Sequence, residues 1–413
     1  MPESTPAAGW IRQPRAFAVK LGLANLGLFT ALLAPALITL AIRIGDVAPE
    51  RKEASLGLVT AVGALLALVA NPLCGRLSDR TRVRAGRRRP WLAGGVIGGS
   101  AGLVIVALVP SVPAILVGWC LAQVSFNAAL AALTATIPDL VPSAERGRVS
   151  GAMGFSQLAA VLLGAGVAAA FSHAITQLLV PALIGLVLVV LFAVTLPDRP
   201  AAPGLPKFSV REFLGSFWVN PVRHPDFGWA WLTRFLVVLG AFAPVSYLAF
   251  FASDRIGVPK EHVAATVGLL AMTTAGVGAV TAILGGRLSD RTGRRKPFVI
   301  GAALVMTLSG VIMASAHSLP VVFVAQVVGG LGTGMFYAVD LALVSQVLPR
   351  KDESGKDLGV INMANALPQS FGPALVPFLL AAGGGRNYTA LYLIAAVAVL
   401  LGAVLVTRIK TVR

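Results

Sequence analysis

The stretch Gly75-Arg76-Leu77-Ser78-Asp79-Arg80-Thr81 occurs a second time, unchanged, at Gly286–Thr292. The offset is 211 residues, about half of the 413-residue chain. Each copy ends a long apolar segment and leads into a basic cluster that closes with a proline, at Gly86–Pro90 and at Gly293–Pro297. An identical heptapeptide in matched contexts predicts an internally duplicated protein that builds the same turn once in each half.

The composition places most of the chain in lipid. Hydrophobic residues make up 56% of the sequence and charged residues only 12%, with a mean hydropathy of +0.82. Soluble domains carry about 25% charged residues. The net charge of +17 comes from basic residues clustered in short loops between apolar segments, a pattern typical of topology determinants. Because nucleic-acid binding needs a contiguous basic face on a folded domain, we expect no nucleic-acid partner.

Apolar runs of about 20 residues predict an all-α polytopic membrane protein with twelve transmembrane helices. The runs lie near residues 18–42, 55–75, 91–109, 112–138, 149–171, 175–196, 228–252, 262–286, 298–316, 319–346, 358–382 and 388–407. They form two pseudo-repeated six-helix bundles, 1–197 and 227–413, joined by a cytoplasmic linker at 198–226. Within the linker, the amphipathic segment Phe208–Trp218 predicts a helix on the membrane surface.

The distribution of basic residues predicts the orientation. With the N-terminus inside, the inside segments hold 27 Lys and Arg residues and the outside loops hold 6. This ratio places both termini in the cytoplasm of a cell-membrane protein, and we expect it to function as a monomer. A second echo supports the duplication, since Arg43-Ile44-Gly45 recurs as Arg255-Ile256-Gly257. In such repeats, substrate sites lie near mid-membrane at the repeat interface.

The duplicated G-x-L-S-D-R-x turn, followed by G-R-R-[RK]-P, resembles the signature of the major facilitator superfamily. The four extra residues Arg82–Ala85 in the first copy look closest to the branch of glycoside–pentoside–hexuronide and sucrose–proton symporters. That branch's sodium-linked members carry an aspartate where this chain has Asn71, so the resemblance implies proton rather than sodium coupling. It also implies a gating role for the motif residues, against the alternative that they only form the turns. These residues are Gly75, Asp79, Arg80, Arg87, Gly286, Asp290 and Arg291.

One acidic residue stands apart from the others. Of the 17 acidic residues, sixteen fall in loops or at the ends of predicted spans, whereas Asp340 lies nine residues before Pro349. That spacing corresponds to a depth of roughly 13 Å. A charged group at that depth is costly and marks a functional site by default. Arg234, at comparable depth in the seventh span, is the predicted partner, and the pair serves either proton or substrate binding or a static ion pair.

Further polar side chains fall on spans one, four, seven and ten, which line the central cavity in the superfamily, and others follow on span eleven. Gln123 and Asn127 are four residues apart on one helical face, as are Asn365 and Gln369. They predict a site for a hydroxyl-rich ligand, and the alternative is hydrogen bonding between helices. The predicted lining comprises Asn25, Gln123, Asn127, Tyr247, Gln326, Tyr337, Asn365 and Gln369.

Together these patterns predict a secondary active transporter that works by alternating access, most simply proton-coupled symport of a sugar or glycoside. The alternatives are proton-driven export of drugs or secondary metabolites and a non-transporting membrane sensor or scaffold. We expect no enzymatic activity, no cofactor and no metal site, because no spacing of nucleophile, base or metal ligands is informative. The glycine-rich segment Gly329–Gly334 lies inside an apolar run, which predicts close helix packing rather than phosphate binding.

Overall fold

A computed structural model describes residues 14–201, 223–347, 354–381 and 386–410 of the chain. Within these ranges the protein is all-helical and no strand is present, which confirms the predicted fold class. Spans one to six are Pro14–Val47, Lys52–Asp79, Arg89–Leu108, Val112–Leu140, Ser143–Ala170 and Ala174–Thr195. Spans seven to twelve are Pro225–Asp254, Lys260–Thr292, Lys296–Ser315, Leu319–Gln346, Ser354–Ala381 and Tyr388–Val406.

The helices have the length and surface of membrane spans. Among the described residues, eleven helices are long and apolar enough to cross a bilayer. The remaining one, span eleven, has 28 residues and contains three prolines. Large apolar side chains stay exposed along the spans, with Phe155 at 75% and Phe378 at 76% relative exposure. Such a surface would aggregate in water, and in a bilayer it is the surface that contacts lipid.

The first span of each half is interrupted at a proline. Span one consists of the helices Pro14–Ala34 and Leu40–Val47, with a π-helical turn that begins at Pro35. Span seven consists of Pro225–Phe242 and Leu248–Asp254, with a 3-10 turn after Pro244. Proline lacks a backbone N–H and breaks the regular hydrogen-bond ladder. The matching interruptions are therefore a further trace of the duplication.

The heptapeptide is not the turn that the sequence predicted. Span two stays helical to Asp79, so that only Arg80 and Thr81 leave the helix, and span eight stays helical through Thr292. The second helix then ends on Gly293 in the left-handed conformation, at φ 64°. The prediction was wrong because leucine and arginine are good helix formers, and the residues that break the helix follow the motif.

Two compact units make up the chain, one formed by residues 1–43 and 66–206 and the other by 44–65 and 207–413. The core of the second unit includes Val237, Phe336, Val339 and Val399, all nearly inaccessible. The predicted boundary of the bundles near residues 198–226 stays a prediction, and the predicted surface helix Phe208–Trp218 lies outside the described residues.

Glycines allow close helix packing in the second unit, as the sequence predicted for Gly329–Gly334. A Cβ atom on Gly330 would lie 2.8 Å from the carbonyl oxygen of Thr274 in span eight. One on Gly332 would lie 2.7 Å from the carbonyl oxygen of Ala302 in span nine. Span ten therefore contacts both neighbours at backbone distance, the usual role of small residues between membrane helices.

The duplicated Arg-Ile-Gly sequence also has a structural role. Arg43 donates from Nε to the carbonyl oxygen of Val106, 3.1 Å away, near the end of span three. Arg255 donates to the carbonyl oxygens of Ala314 and Ala316 at 3.0 and 3.1 Å, at the end of span nine. The last carbonyls of a helix lack partners within it and attract positive charge. In each half, an arginine from the first span thus caps the C-terminus of the third.

Candidate functional site

A buried ion pair joins spans seven and ten. Arg234 Nη1 lies 2.5 Å from Asp340 Oδ2, and the relative exposures of these residues are 7% and 1%. The structure therefore brings together the two charged residues that the sequence singled out within the spans. Asp340 sits six residues before the end of span ten, and Arg234 nine residues after the start of span seven.

Span eleven completes this cluster with an amide. Arg234 donates from Nε to Asn365 Oδ1 at 2.8 Å. One helical turn before Arg234, Trp231 donates from its indole Nε1 to the carbonyl oxygen of Val360 at 2.9 Å. This second bond fixes span eleven against span seven, so that Asn365 is held beside the guanidinium. We call Arg234, Asp340 and Asn365 the charged cluster.

Apolar residues surround the charged cluster along the spans. Toward the start of span seven lies the group Phe227, Val344, Val360 and Ile361, with Trp231 packed against it. The main core of the unit, which includes residues from both sides of Asp340 in span ten, borders it elsewhere. In such surroundings neither charge is stable without the other, because breaking a buried pair leaves an uncompensated ion at a cost of about 3–5 kcal/mol.

Two other predicted residues, Tyr337 and Gln369, lie about one helical turn from members of the charged cluster on the same helices. Tyr337 precedes Asp340 by three residues and is 36% exposed, with its ring edge-on to Phe336. Gln369 follows Asn365 by four residues and is exposed. Residues three or four apart share a helical face, so both side chains extend the polar face on which the cluster lies.

The remaining predicted lining residues hydrogen-bond within their own units. Asn25 donates to Ser156 Oγ at 2.9 Å, and its own Oδ1 is buried without a partner among the described residues. Asn127 donates to Gln123 Oε1 at 3.3 Å and accepts from Asn71 at 3.4 Å. Gln326 accepts from Thr274 Oγ1 at 2.6 Å. Apart from the Asn127–Gln123 bond within span four, these contacts join different helices, and a role in ligand binding stays a prediction.

Tyr247 belongs to a separate set of contacts within the second unit. Its hydroxyl is fully buried and lies 2.9 Å from the carbonyl oxygen of Glu53 and 3.0 Å from that of Pro373. Nearby, Lys52 Nζ contacts both carboxylate oxygens of Asp254 at 2.6 and 2.8 Å. The hydroxyl of Tyr388 donates to the same carboxylate at 2.9 Å. Sequence analysis missed this network, since charges at span ends resemble ordinary loop charges.

The first heptapeptide takes part in an ionic network at the ends of spans two, three and four. Arg88 ion-pairs with Asp79, and it contacts Asp139 Oδ2 at 2.9 Å and Ser78 Oγ at 3.0 Å. The predicted residue Arg87 contacts the other oxygen of Asp139 at 2.8 Å. Burial alone would lower the pKa of Arg88, but Asp139 and Asp79 outweigh burial, and the pKa is raised. Arg88 and Asp139 were outside the predicted motif set.

A second carboxylate fixes the loop after this heptapeptide. Asp198 Oδ2 accepts from the backbone N–H groups of Arg88 and Arg89 at 2.6 and 2.8 Å, at the start of span three. It occupies the space next to Gly86, whose φ of 105° suits glycine. Ala201 N donates to the carbonyl oxygen of Thr81 at 3.0 Å. The residues after span six are thereby bound to the loop between spans two and three.

The second heptapeptide has a simpler environment. Arg295 contacts Asp290 Oδ1 at 2.6 Å and Ser289 Oγ at 2.9 Å. The side chain of Asp290 is 68% exposed, and Arg291 is exposed as well. Gly75 and Gly286, the first residues of the two copies, face Ala131 in span four and Ala338 in span ten. Each copy thus contacts the fourth span of its own half.

The twelve helical spans, with matching interruptions, arginine caps and heptapeptides in the two halves, define an internally duplicated polytopic membrane protein. The family model of the Major Facilitator Superfamily matches residues 21–278 and again 262–413. The chain belongs to this superfamily, as the sequence predicted. The narrower resemblance to the glycoside–pentoside–hexuronide branch stays a prediction.

Solved structures share this fold over nearly the whole chain. A bacterial homolog of the human lysosomal transporter Spinster, inward-facing and unoccupied, aligns with a TM-score of 0.73 and 16% identity, over 97% of this chain and 96% of that one. A D-xylose–proton symporter aligns with a TM-score of 0.71 and 18% identity, over 96% and 98% of the two chains. At these identities the likeness establishes the fold alone.

Curated relatives match shorter regions. The multidrug resistance protein MdtH of Aeromonas hydrophila is 29% identical over 149 residues, 36% of each chain. The arabinose–proton symporter of Bacillus subtilis is 32% identical over 74 residues, 18% of this chain and 16% of the symporter. The matched region therefore spans about a third of the length of MdtH and about a sixth of the length of the arabinose–proton symporter.

Proposed function

We propose that this transporter is a proton-coupled symporter of a sugar or glycoside. The observation that carries the proposal is the charged cluster, in which Asp340 is the single carboxylate placed well inside a span among the described residues. A carboxylate is the simplest side chain that can take up and release a proton, and intramembrane carboxylates mark proton relays. The resemblance of the first turn to the sugar–proton branch and the similarity to an arabinose–proton symporter support the choice of substrate.

The geometry supports a defined coupling step. Protonation of Asp340 removes the negative charge that balances Arg234, so that the ion pair at Nη1 is lost while the bond from Nε to Asn365 remains. Since the three residues lie on spans ten, seven and eleven, the loss of one bond changes the energy of packing those spans. A ligand shifts a conformational equilibrium only through such differences between states. Substrate hydroxyls would bind the exposed Tyr337 and Gln369 beside the cluster.

The test is uptake by purified protein in liposomes under a pH gradient. Labelled sugars and glycosides should accumulate in the wild type. Asp340→Asn should abolish accumulation driven by the gradient yet retain exchange of labelled for unlabelled substrate, because exchange needs no net proton movement. Glu261→Gln removes a carboxylate from an exposed position and should keep both activities. Full accumulation by Asp340→Asn would exclude Asp340 as the coupling site.

Proton-driven export of drugs or secondary metabolites is the second candidate. The similarity to MdtH over 36% of the chain favours it. The same charged cluster can serve this function, with protons moving against the solute. The liposome assay separates the candidates by the direction of solute movement. A symporter moves solute with the protons into the proton-poor compartment. A proton-driven exporter moves solute against the proton flow, into the proton-rich compartment, and shows no sugar accumulation.

We also propose that the protein functions as a monomer in the cell membrane with both termini in the cytoplasm. The excess of Lys and Arg on the predicted inside segments supports this orientation. Cysteine labelling of each terminus in intact cells is the direct test, and reaction with an impermeant reagent would overturn the topology.

A further inference from the structure

The charged cluster contains one charge that titrates and one that does not. Asp340 can be neutralised by a proton, whereas the guanidinium of Arg234 keeps its charge at any accessible pH. The titratable or charged groups that act on Asp340 among the described residues are Arg234 from span seven and Tyr337 from its own span. Span eleven contributes the neutral Asn365. When Asp340 is protonated, the cluster therefore carries one uncompensated positive charge.

A buried guanidinium without a counter-charge is unfavourable. The contacts of Arg234 with Asn365 and with the surrounding apolar side chains supply no negative charge. A neutral sugar offers hydroxyl groups but no charge, and an organic cation would add to the imbalance. A carboxylate restores the charge balance because it is negatively charged. Its two oxygens also match the parallel N–H groups of a guanidinium.

We infer that the substrate carries a carboxylate, which takes the place of the Asp340 carboxylate at Arg234 when Asp340 is protonated. The proton and the organic anion then enter the site together, and either one alone leaves an unbalanced charge. This inference rests on the proposed proton coupling at Asp340, and it narrows the substrate from sugars in general to sugar acids or related organic acids. The loaded and empty states of the cluster have the same net charge.

The test uses formate, the smallest carboxylate, and formamide, its neutral analogue of nearly equal size. Thermal unfolding of the purified, detergent-solubilised protein is measured with each compound. In Asp340→Asn the arginine is permanently without a counter-charge, so formate should raise the unfolding midpoint by ~2–4 °C at both pH 5.5 and pH 8. The wild type should respond to formate at pH 5.5 and not at pH 8. Formamide should have no effect in either protein.

The double variant Arg234→Gln with Asp340→Asn is the matched control, because it removes both charges and leaves the cluster neutral. It should show no response to formate, which separates binding at Arg234 from a general effect of salt. Equal responses to formate and formamide in Asp340→Asn, or an equal formate response in the double variant, would overturn the inference. If Asp340→Asn does not fold, the wild-type comparison decides, and a wild-type response independent of pH would also overturn it.

The outcomes distinguish this inference from the proposed function. Proton-driven uptake of a neutral sugar, together with no formate response, would contradict the carboxylate site and leave proton-coupled sugar symport standing. A formate response as described, together with no proton-driven uptake of any sugar or sugar acid, would support the carboxylate site and contradict the proposed symport.

Discussion

The two heptapeptides have the same seven residues and are both mainly helical, but their surroundings differ. In both copies the serine accepts from an arginine that also pairs with the aspartate of the motif. In the first copy this arginine, Arg88, also contacts Asp139, and Asp198 holds the adjacent backbone. At the offset of 207 residues that relates Pro142 to Pro349, the position matching Asp139 holds Gln346.

The same motif therefore takes part in contacts that differ in number and in burial between the two halves. The first copy is part of a network in which the central guanidinium is 4% exposed. In the second copy, among the described residues, the arginine pairs with one largely exposed carboxylate and donates to the serine. Buried, multiply bonded charges are costly to disrupt, whereas exposed pairs contribute little. We therefore expect equivalent substitutions to have unequal effects in the two halves.

The largest difference is expected for the central arginines. Arg88→Gln removes the charge that two carboxylates share and should destabilise the first unit by about 3–5 kcal/mol. Arg295→Gln breaks a pair whose carboxylate is 68% exposed and should cost less than about 1 kcal/mol. Unfolding of both variants in detergent, followed by circular dichroism, measures the difference. Equal losses of stability would contradict the asymmetry.

The loop glycines give the next largest difference. Gly86→Ala places a methyl group against the carboxylate of Asp198 at a φ of 105°, and we expect a loss of about 2–4 kcal/mol. Gly293 has a φ of 64°, and no atom of the described residues lies within 4 Å of a Cβ position there, so that Gly293→Ala should cost only about 1 kcal/mol. The same unfolding measurement applies, and a milder effect at Gly86 would show that Asp198 moves aside freely.

Removal of the Asp198 carboxylate sharpens the comparison, since the second copy shows no such bond among the described residues. Asp198→Ala leaves two N–H groups at the start of span three without their acceptor and should cost about 0.5–2 kcal/mol. Ser111, which accepts from Ala114 N at 3.4 Å at the start of span four, provides an ordinary cap for reference. Ser111→Ala should cost less than Asp198→Ala in the same assay. The reverse order would mean that Asp198 contributes no more than a local cap.

The smallest effect on stability is expected for the motif aspartates, whose side chains are 52% and 68% exposed. Asp79→Asn and Asp290→Asn should each change stability by less than about 1 kcal/mol. Only Asp79→Asn should change the transport rate, since only its partner Arg88 connects to Asp139. Initial rates in liposomes test this expectation, and equal rates for the two variants would leave Asp79 without a gating role.

The fold could be predicted from the sequence because long apolar runs and an exact internal repeat are visible in the sequence itself, before any contact is known. The Arg234–Asp340 pair could be predicted as well, since isolated charges in apolar spans need partners. The contact of Asn365 with Arg234 could not, because an amide has many possible partners and no charge to restrict them. Arg88, Asp139 and the Lys52–Asp254 pair lie at span ends, where a charge facing solvent and a charge in a network look alike in sequence.

The arginine caps of spans three and nine have a consequence for how the sequence can vary. Arg43 and Arg255 donate to backbone carbonyl oxygens, and every residue type supplies a carbonyl. Substitutions at the C-terminal ends of spans three and nine therefore leave the acceptor carbonyl oxygens in place, provided that the helix itself persists. Each of these hydrogen bonds between the first and third spans therefore depends on the identity of the arginine, whereas the residue that supplies the acceptor is free to change.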